Sequence, residues 1–310
     1  MKVLVTGGAG FIGSNLVRRL RSQHEVTVFD DLSTGLQSNL EGLEVQVIEG
    51  SVTDLDAVRA AATGTQLIVH LAARGSVPRS IADPEATHRV NCDGTLNVLE
   101  AARTSGARVI YSSSSSVYGA NDSLPKREDM WVRPLSPYAA SKLAAEGYCA
   151  AYDASYGVPT LTLRFFNVYG PWQRPDHDYA AVIPRWIWAL LNEQPVIVEG
   201  DGSQSRDFTH VATVVDVIAH ALENPEVFGQ QVNLAYGNRI SLVELLSLLE
   251  EITGTSAPID YRARRTSDVA HSQNDPTRLL EAFPAVVPVN LPEGLAETVK
   301  WMREHKQSAS

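Results

Sequence analysis

An α/β fold, a doubly wound parallel sheet with a smaller C-terminal lobe, is predicted by three features of the sequence. Short β-branched runs alternate with longer amphipathic stretches, the pattern of parallel strands covered on both faces by helices. A glycine-rich turn directly follows the first of those runs. After Gly170 the alternation loosens and prolines fall at positions 171, 175, 184 and 195, which marks where a second lobe begins.

The first strand is KVLVT at residues 2–6, followed by EVTVFD at 25–30, EVQVIEG at 44–50, LIVHLAA at 67–73, ARVIYSS at 107–113 and TLTLRFF at 160–166. Helical periodicity runs between them through FIGSNLVRRLRS at 11–22, DLDAVRAAA at 54–62, and the long stretches 86–106 and 136–157. A further helix, VATVVDVIAHALEN at 211–224, leads into a seventh strand, QQVNLAYG at 230–237. The expected nucleotide domain therefore spans residues 1–170 and takes back 208–236. The substrate lobe is expected from 171–207 and 237–310. No internal repeat is visible, and the tail REHKQSAS is expected to fray.

A chain of 310 residues, 44% hydrophobic and 20% charged, can bury a sizeable core. Its formal charge of -10 gives no general attraction for nucleic acid or an anionic membrane. An anionic ligand then needs individually placed arginines. Cys92 and Cys149 have neither metal-ligand nor disulfide-framework spacing, so a reducing, cytoplasmic setting is expected and no metal. Neither a signal peptide nor a membrane span is read, because Met1 leads straight into strand.

VLVTGGAGFIGSNL places Gly7, Gly10 and Gly13 between a strand and a helix. One glycine makes the tight turn, another lets a pyrophosphate approach the backbone, and another lets helix and strand pack closely. The second strand ends in Asp30, at the distance where an acid receives the adenosine ribose hydroxyls. Asp30 and Asp31 would repel a 2'-phosphate, which favours NAD over NADP. This is the signature of a Rossmann-type sheet.

SPYAASK supplies a second signal. Serine caps and proline suits a first helical turn, so Tyr138 and Lys142 fall one turn apart on one face. A cation close to a phenol, together with a positive nicotinamide ring, favours the phenolate and lowers its pKa towards neutrality. The five-serine run 112–116 lies at the carboxyl end of the fifth strand, the edge where such sheets bind ligands. It reads as an active-site wall, with one hydroxyl able to bond a sugar oxygen beside Tyr138.

Taken in order, VTGGAGFIGS, HLAA, NCDGTLNVLEAA, SSSSSVYG, SPYAASK, RFFNVYGP, GDGSQSRDF and SDVAHSQND resemble the extended short-chain dehydrogenase/reductase family, within it the nucleotide-sugar epimerases and dehydratases. The likeness covers nearly the whole chain. It implies a tightly held NAD that is reduced and re-oxidised within one turnover. By the same likeness Tyr138 is the base, Lys142 tunes it and holds the nicotinamide ribose, and Ser114 bonds the sugar O4. Coenzyme contacts carry over to Gly7, Gly10, Phe11, Ile12, Gly13, Asp30, Asp31, Ser51, Val52, Leu71, Ala72, Ala73 and Asn91.

The implied reaction is a 4-epimerisation: Tyr138 takes the C4 hydroxyl proton, C4 hydride leaves, the 4-keto sugar turns over, and hydride returns to its other face. Arg206 and Arg265 match the family's diphosphate contacts, a task suited to arginine. Asn167 matches a substrate-binding asparagine, and Tyr179, Ala180, Ala181 and Val182 match the segment around a uracil base; Asp268 belongs to the same substrate set. GSVPRSIADP, YAAVIP and DVAHSQND look most like the UDP-N-acetylglucosamine 4-epimerase branch. There Ser272 occupies the position that gates hexose size, and Gly75, Ser76 and Ser115 line the pocket for an N-acetyl group.

Three departures qualify the likeness. Ser115 and Ser116 stand where 4,6-dehydratases carry Asp and Glu, and serine is no general acid near neutral pH, so ordinary dehydration is disfavoured. Ser51 replaces the aspartate that receives the adenine amine, and Ala212 and Thr213 replace common acids. UDP-glucose/galactose or UDP-glucuronate epimerisation and an unusual dehydration remain competing activities. Outside enzymes, the competitor is an NAD-sensing interaction protein, against which Ser114, Tyr138 and Lys142 together argue. The helices within 88–106 and 137–157 are, by resemblance, the surfaces of a homodimer.

Overall fold

The computed structural model describes residues 1–175, 180–263 and 269–305. In chain order its elements are β1 (Lys2–Thr6), α1 (Phe11–Leu20), β2 (Glu25–Asp30), β3 (Gln46–Glu49), α2 (Leu55–Ala61), β4 (Leu67–His70), α3 (Val77–Ala82), α4 (Pro84–His88), α5 (Gly94–Ser105), β5 (Arg108–Ser114), α6 (Pro137–Tyr156) and β6 (Thr160–Phe165). Then follow β7 (Val168–Tyr169), α7 (Val182–Leu191), β8 (Val196–Glu199), β9 (Ser205–Asp207), β10 (Thr209–His210), α8 (Val211–Glu223), β11 (Gln230–Leu234), β12 (Arg239–Ser241), α9 (Leu242–Thr253), β13 (Ile259–Arg262), α10 (Thr277–Ala282) and α11 (Leu291–Glu304).

Seven parallel strands form one sheet in the order β11-β6-β5-β4-β1-β2-β3. The doubly wound α/β expectation holds, and all seven expected strands are its members. Side chains of successive residues enter opposite cores, as the pleat requires. Val3, Val5, Leu67 and Val69 pack with α1 and α8, whereas Leu4, Ile68, Val109 and Tyr111 pack with α2, α5 and α6. The near-continuous apolar runs of β1 and β4 follow from burial on both faces.

The stretch expected as one helix at 86–106 is α4 and α5 joined through a π-turn at Arg89–Asp93. Helix α6 starts at the Ser136 cap, whose side chain accepts from the Ala139 amide, with Pro137 in its first turn. It stops at Gly157, which takes the left-handed conformation that glycine adopts without Cβ strain.

A separate apolar cluster joins Trp186, Ile187 and Leu190 of α7 to Val196 and Val198 of β8, Leu245 and Leu249 of α9, and Leu295, Val299 and Met302 of α11. Small pairs β8·β13, β9·β12 and β7·β10 accompany it. Leu279, Phe283 and Val286 of the C-terminal stretch instead pack into the first core beside α8. Among the described residues no helix is long and apolar enough to cross a membrane.

Candidate active site

Strand order reverses between β1 and β4, and a cavity of about 860 Å³ opens at the carboxyl ends of the central strands. Its first wall is the β1–α1 turn, where Gly7, Gly10, Phe11, Ile12 and Gly13 all line it. Gly7 has φ +72° and sits so close to the chain after β4 that a Cβ would lie 2.6 Å from the Ala72 nitrogen. At Gly13 a Cβ would run into the Gly7 carbonyl oxygen. Gly10 caps α1 without any side-chain oxygen, so the unpaired first-turn amides belong to cavity-lining residues.

The buried Asp30 ends β2 against this turn. Its Oδ2 accepts from the Ala9 amide and its Oδ1 from the Leu32 amide, both at 2.9 Å. Burial raises its pKa and these two amides oppose the rise. Asp31 accepts from the amide and hydroxyl of Ser33. A bare helix N-terminus, a backbone cradle and an acid at the rim fit a dinucleotide with an unphosphorylated 2'-hydroxyl.

The serine run divides its work. Ser112 Oγ donates to the His70 carbonyl at 2.9 Å and Ser113 Oγ donates to Glu146 at 2.5 Å, so both are tied into the core. Ser114, the last residue of β5, lines the cavity; its Oγ donates to Ser116 Oγ at 3.1 Å and bonds the Tyr138 side chain. Ser115 and Ser116 turn away in a short 3-10 helix and line a second cavity of about 180 Å³. The run is therefore part strand and part pocket wall.

Helix α6 brings Tyr138 and Lys142 to the first cavity beside Ser114. Lys142 is buried; its Nζ donates to the Ser112 carbonyl at 2.7 Å and lies 5.0 Å from the centre of the Tyr111 ring. Burial brings its pKa down to about 8. The expected fall of the Tyr138 pKa needs Lys142 and a positive nicotinamide ring together; the side chain's surroundings in the protein act in the opposite direction. Burial raises the pKa, and the Ser114 hydrogen bond only partly opposes. Lys142 spends a bond on Ser112, so without a further positive charge the buried phenol keeps its proton.

Asn167 lines both cavities and joins them, held at φ +29° with its Nδ2 donating to the Asp207 carbonyl at 3.0 Å. Arg206 and Ser272 lie in the second cavity with Ser115; Arg206 Nη1 donates to the Ser205 and Ala270 carbonyls. Asp207, wholly buried, accepts on Oδ2 from the Gly237 and Asn274 amides, each at 2.9 Å. It thereby ties β9 to the loop at Gly237 and to the stretch that follows Ser272 of the second cavity. Burial moves its pKa up to about 6.

Of the other expected residues, Val52, Leu71, Ala72, Ala73, Gly75, Ser76 and Ala181 line the first cavity. Ser76 also caps α3, accepting from the Arg79 amide with φ +113°. Asn91 is not in the lining: its buried amide group bonds the Arg74 amide and the Ser141 hydroxyl, and so supports the wall from behind. Ser51 Oγ pairs with Thr53 Oγ1 outside the lining, Ala180 is buried, and Val182 begins α7. Tyr179, Arg265 and Asp268 lie outside the described residues. Sequence reasoning missed Arg74, Arg79, Trp172 and Arg174 in the first cavity and Lys126 and His271 in the second. Arg74 and Arg79 could have been found from their place between Ala73 and Ser80, His271 from its place beside Ser272, and Trp172 and Arg174 from following RFFNVYGP; Lys126 carries no local signal.

Residues 3–235 match the NAD dependent epimerase/dehydratase family. The chain is 38% identical to a protein of Mycolicibacterium smegmatis named UDP-glucose 4-epimerase, over 99% of this chain and 100% of that one. It superposes with a TM-score of 0.93 and 35% identity on UDP-N-acetylglucosamine 4-epimerase from Methanobrevibacter ruminantium, solved with UDP-N-acetylmuramic acid, covering 98% of both chains. A UDP-glucuronic acid 4-epimerase from Bacillus cereus, solved with UDP-glucuronic acid and NAD, gives 0.92 and 30% identity over 98% of this chain and 99% of that one. Three different sugars thus occur among relatives of similar likeness.

Proposed function

The chain belongs to the NAD dependent epimerase/dehydratase family, and from that premise we propose that it is an NAD-dependent UDP-sugar 4-epimerase, with UDP-N-acetylglucosamine and UDP-N-acetylgalactosamine as its substrate pair. The observation that carries the reading is the continuity of the site: one cavity runs from the Gly7–Gly13 turn to Ser114, Tyr138 and Lys142, and Asn167 is common to its wall and that of a second pocket.

NAD held by the Gly7–Gly13 turn and Asp30 would supply an acceptor and donor for the C4 hydride. The chain's residues do the rest. Tyr138 accepts the proton of the C4 hydroxyl and returns it to the 4-keto oxygen after the sugar has turned. Ser114 donates to that oxygen and keeps it against the phenol. Lys142 holds a positive charge near Tyr138, and the positive nicotinamide is the second charge needed to offset burial of the phenolate. Arg206 meets a diphosphate oxygen in a protein whose net charge gives no other attraction for it.

One observation favours the N-acetylated hexose and another disfavours dehydration. Ser115 and Ser272 both line the second cavity, which offers hydroxyls to an amide and has a serine rather than a ring at position 272. Ser115 and Ser116 also leave no carboxylate beside Ser114 for loss of water from the sugar. Incubation with UDP-GlcNAc, UDP-Glc and UDP-GlcA, followed by product identification, tests the reading. Conversion of UDP-GlcNAc to an isomer of equal mass is expected. A product lighter by water, or none from any of the three, would refute it. The same reading takes the exposed side of α6, with Tyr148 and Tyr156, into a homodimer, which light scattering tests.

A further inference from the structure

Tyr138, Lys142 and Glu146 follow one another at four-residue intervals along α6, so they stand on one face of the helix. Glu146 is 5% exposed and is held from three sides. Ser113 of β5 donates to its Oε1 at 2.5 Å, Arg164 of β6 donates to both oxygens at 2.9 and 2.8 Å, and Gln231 of β11 donates to Oε2 at 2.6 Å. Arg164 in turn donates to the Tyr118 hydroxyl at 2.8 Å.

A buried ion pair at the centre of a sheet is no gift to stability, since an apolar pair of the same volume often serves as well. This pair sits one helical turn from a buried ammonium whose side chain has a single neutral acceptor, the Ser112 carbonyl. Ser113, adjacent to both Ser112 and Ser114, is the residue that ties the carboxylate to the catalytic strand.

We propose that Glu146 is a positioning residue: pinned by Ser113, Arg164 and Gln231, it fixes α6 on β5 and β6 and provides the buried negative charge that keeps Lys142 an ammonium beside Tyr138. The groups around Lys142 are Tyr138, Glu146 and Cys149 on its own helix, Tyr111 on β5, His70 on β4 and Cys92 in the π-turn. His70 is held neutral between Thr6 and Thr95, its pKa brought down to about 3 by burial. The thiols of Cys92 and Cys149 are pushed up by burial. Glu146 is thus the carboxylate among these neighbours. Of the Arg164–Glu146 pair, Glu146 is the member that acts on Lys142, and with Cys149 and Cys92 it opposes the effect of burial.

The inference rests on Lys142 being the charge beside the base, but its test is read on the protein alone, so its failure is separable from a failure of epimerisation. The Lys142 titration is followed by NMR in lysine-labelled protein, with Lys142→Met assigning the signal. The double variant Glu146→Leu with Arg164→Met removes the pair without leaving an orphan charge, and the single variant Glu146→Gln is the second route should the first not fold. Either is expected to lower the Lys142 midpoint by about one pH unit, while Glu146→Asp keeps it within a few tenths. A midpoint equal to wild type in the folded variant would overturn the proposal, because a purely structural ion pair would lower the melting temperature and leave that titration in place.

Discussion

Lys142 donates its ammonium to the carbonyl of Ser112 at 2.7 Å, both residues being buried in the wall of the first cavity. Burial holds the lysine at a pKa of about 8 against 10.5 in the unfolded chain, so the folded state binds fewer protons between those pH values. Stability therefore rises with pH through that window, and at neutral pH the charged lysine costs on the order of 3 kcal/mol before its hydrogen bond is counted. Lys142→Met is expected to melt no lower than wild type at pH 7 and to lose its relative advantage between pH 8 and 10.5, while turnover is abolished. Melting curves at four pH values check this; a variant much less stable at pH 7 would contradict it.

The glycine turn makes a contrast between two small substitutions. Gly13→Ala puts a methyl into the Gly7 carbonyl and is expected to disrupt the turn itself. At Gly10 a Cβ meets only the Gly7 oxygen, 3.3 Å away, and otherwise has room in the cavity. Gly10→Val should therefore fold and lose NAD affinity by at least about tenfold, the scale of a lost close backbone approach. Calorimetric titration with NAD measures both.

Asp207 joins β9 to the loops at Gly237 and Asn274, and its backbone carbonyl accepts from Asn167. Replacing it by Ala leaves two buried amides without acceptors, a loss of about 2 to 6 kcal/mol. The stretch it ties at Asn274 continues from Val269, His271 and Ser272 of the second cavity, the side the proposed function gives to the sugar nucleotide. Asp207→Ala is expected to raise KM for the UDP-sugar more than tenfold and to change NAD binding little. Equal effects on both ligands would argue for a general loosening of the fold.

Under the proposed function, Ser272 in the second cavity would be the position at which sugar size is read. Ser272→Tyr fills the second cavity from its side, and should lower kcat/KM for UDP-GlcNAc by about tenfold or more relative to UDP-Glc, the range that steric discrimination gives. Parallel assays of the two sugars decide it, and an unchanged ratio would remove Ser272 from the specificity argument.

The sheet was legible because β1, β2, β4, β5 and β6 are β-branched runs buried on both faces, and the glycine turn because no other residue fits between Ala72 and Gly8. Ser114, Tyr138 and Lys142 were legible as a set through SSSSSVYG and SPYAASK. What could not be read was made by tertiary contact. In AAEGY, Glu146 has the composition of a surface helix residue, and only its meeting with Arg164 and Ser113 buries it. The positive φ of Ser76, Asn167 and Trp172 has no glycine or Asn-Gly pair to announce it in the first and last cases. Lys126 reaches the second cavity because its ammonium binds the Asn121 and Ser123 carbonyls, a loop closure that no periodicity encodes. Burial raises the Tyr138 phenol and its Ser114 hydrogen bond only partly opposes, a desolvation that SPYAASK does not announce.

The fate of the hydrogen on C4 bears most directly on the reaction assigned to Ser114, Tyr138 and Lys142. UDP-GlcNAc deuterated at C4 is incubated with the protein in ordinary water and the isomer is isolated. The account predicts that UDP-GalNAc forms with the deuterium still on C4, because the label leaves and returns within one closed site. Exchange of that label into solvent, or the absence of any C4 isomer, would contradict it.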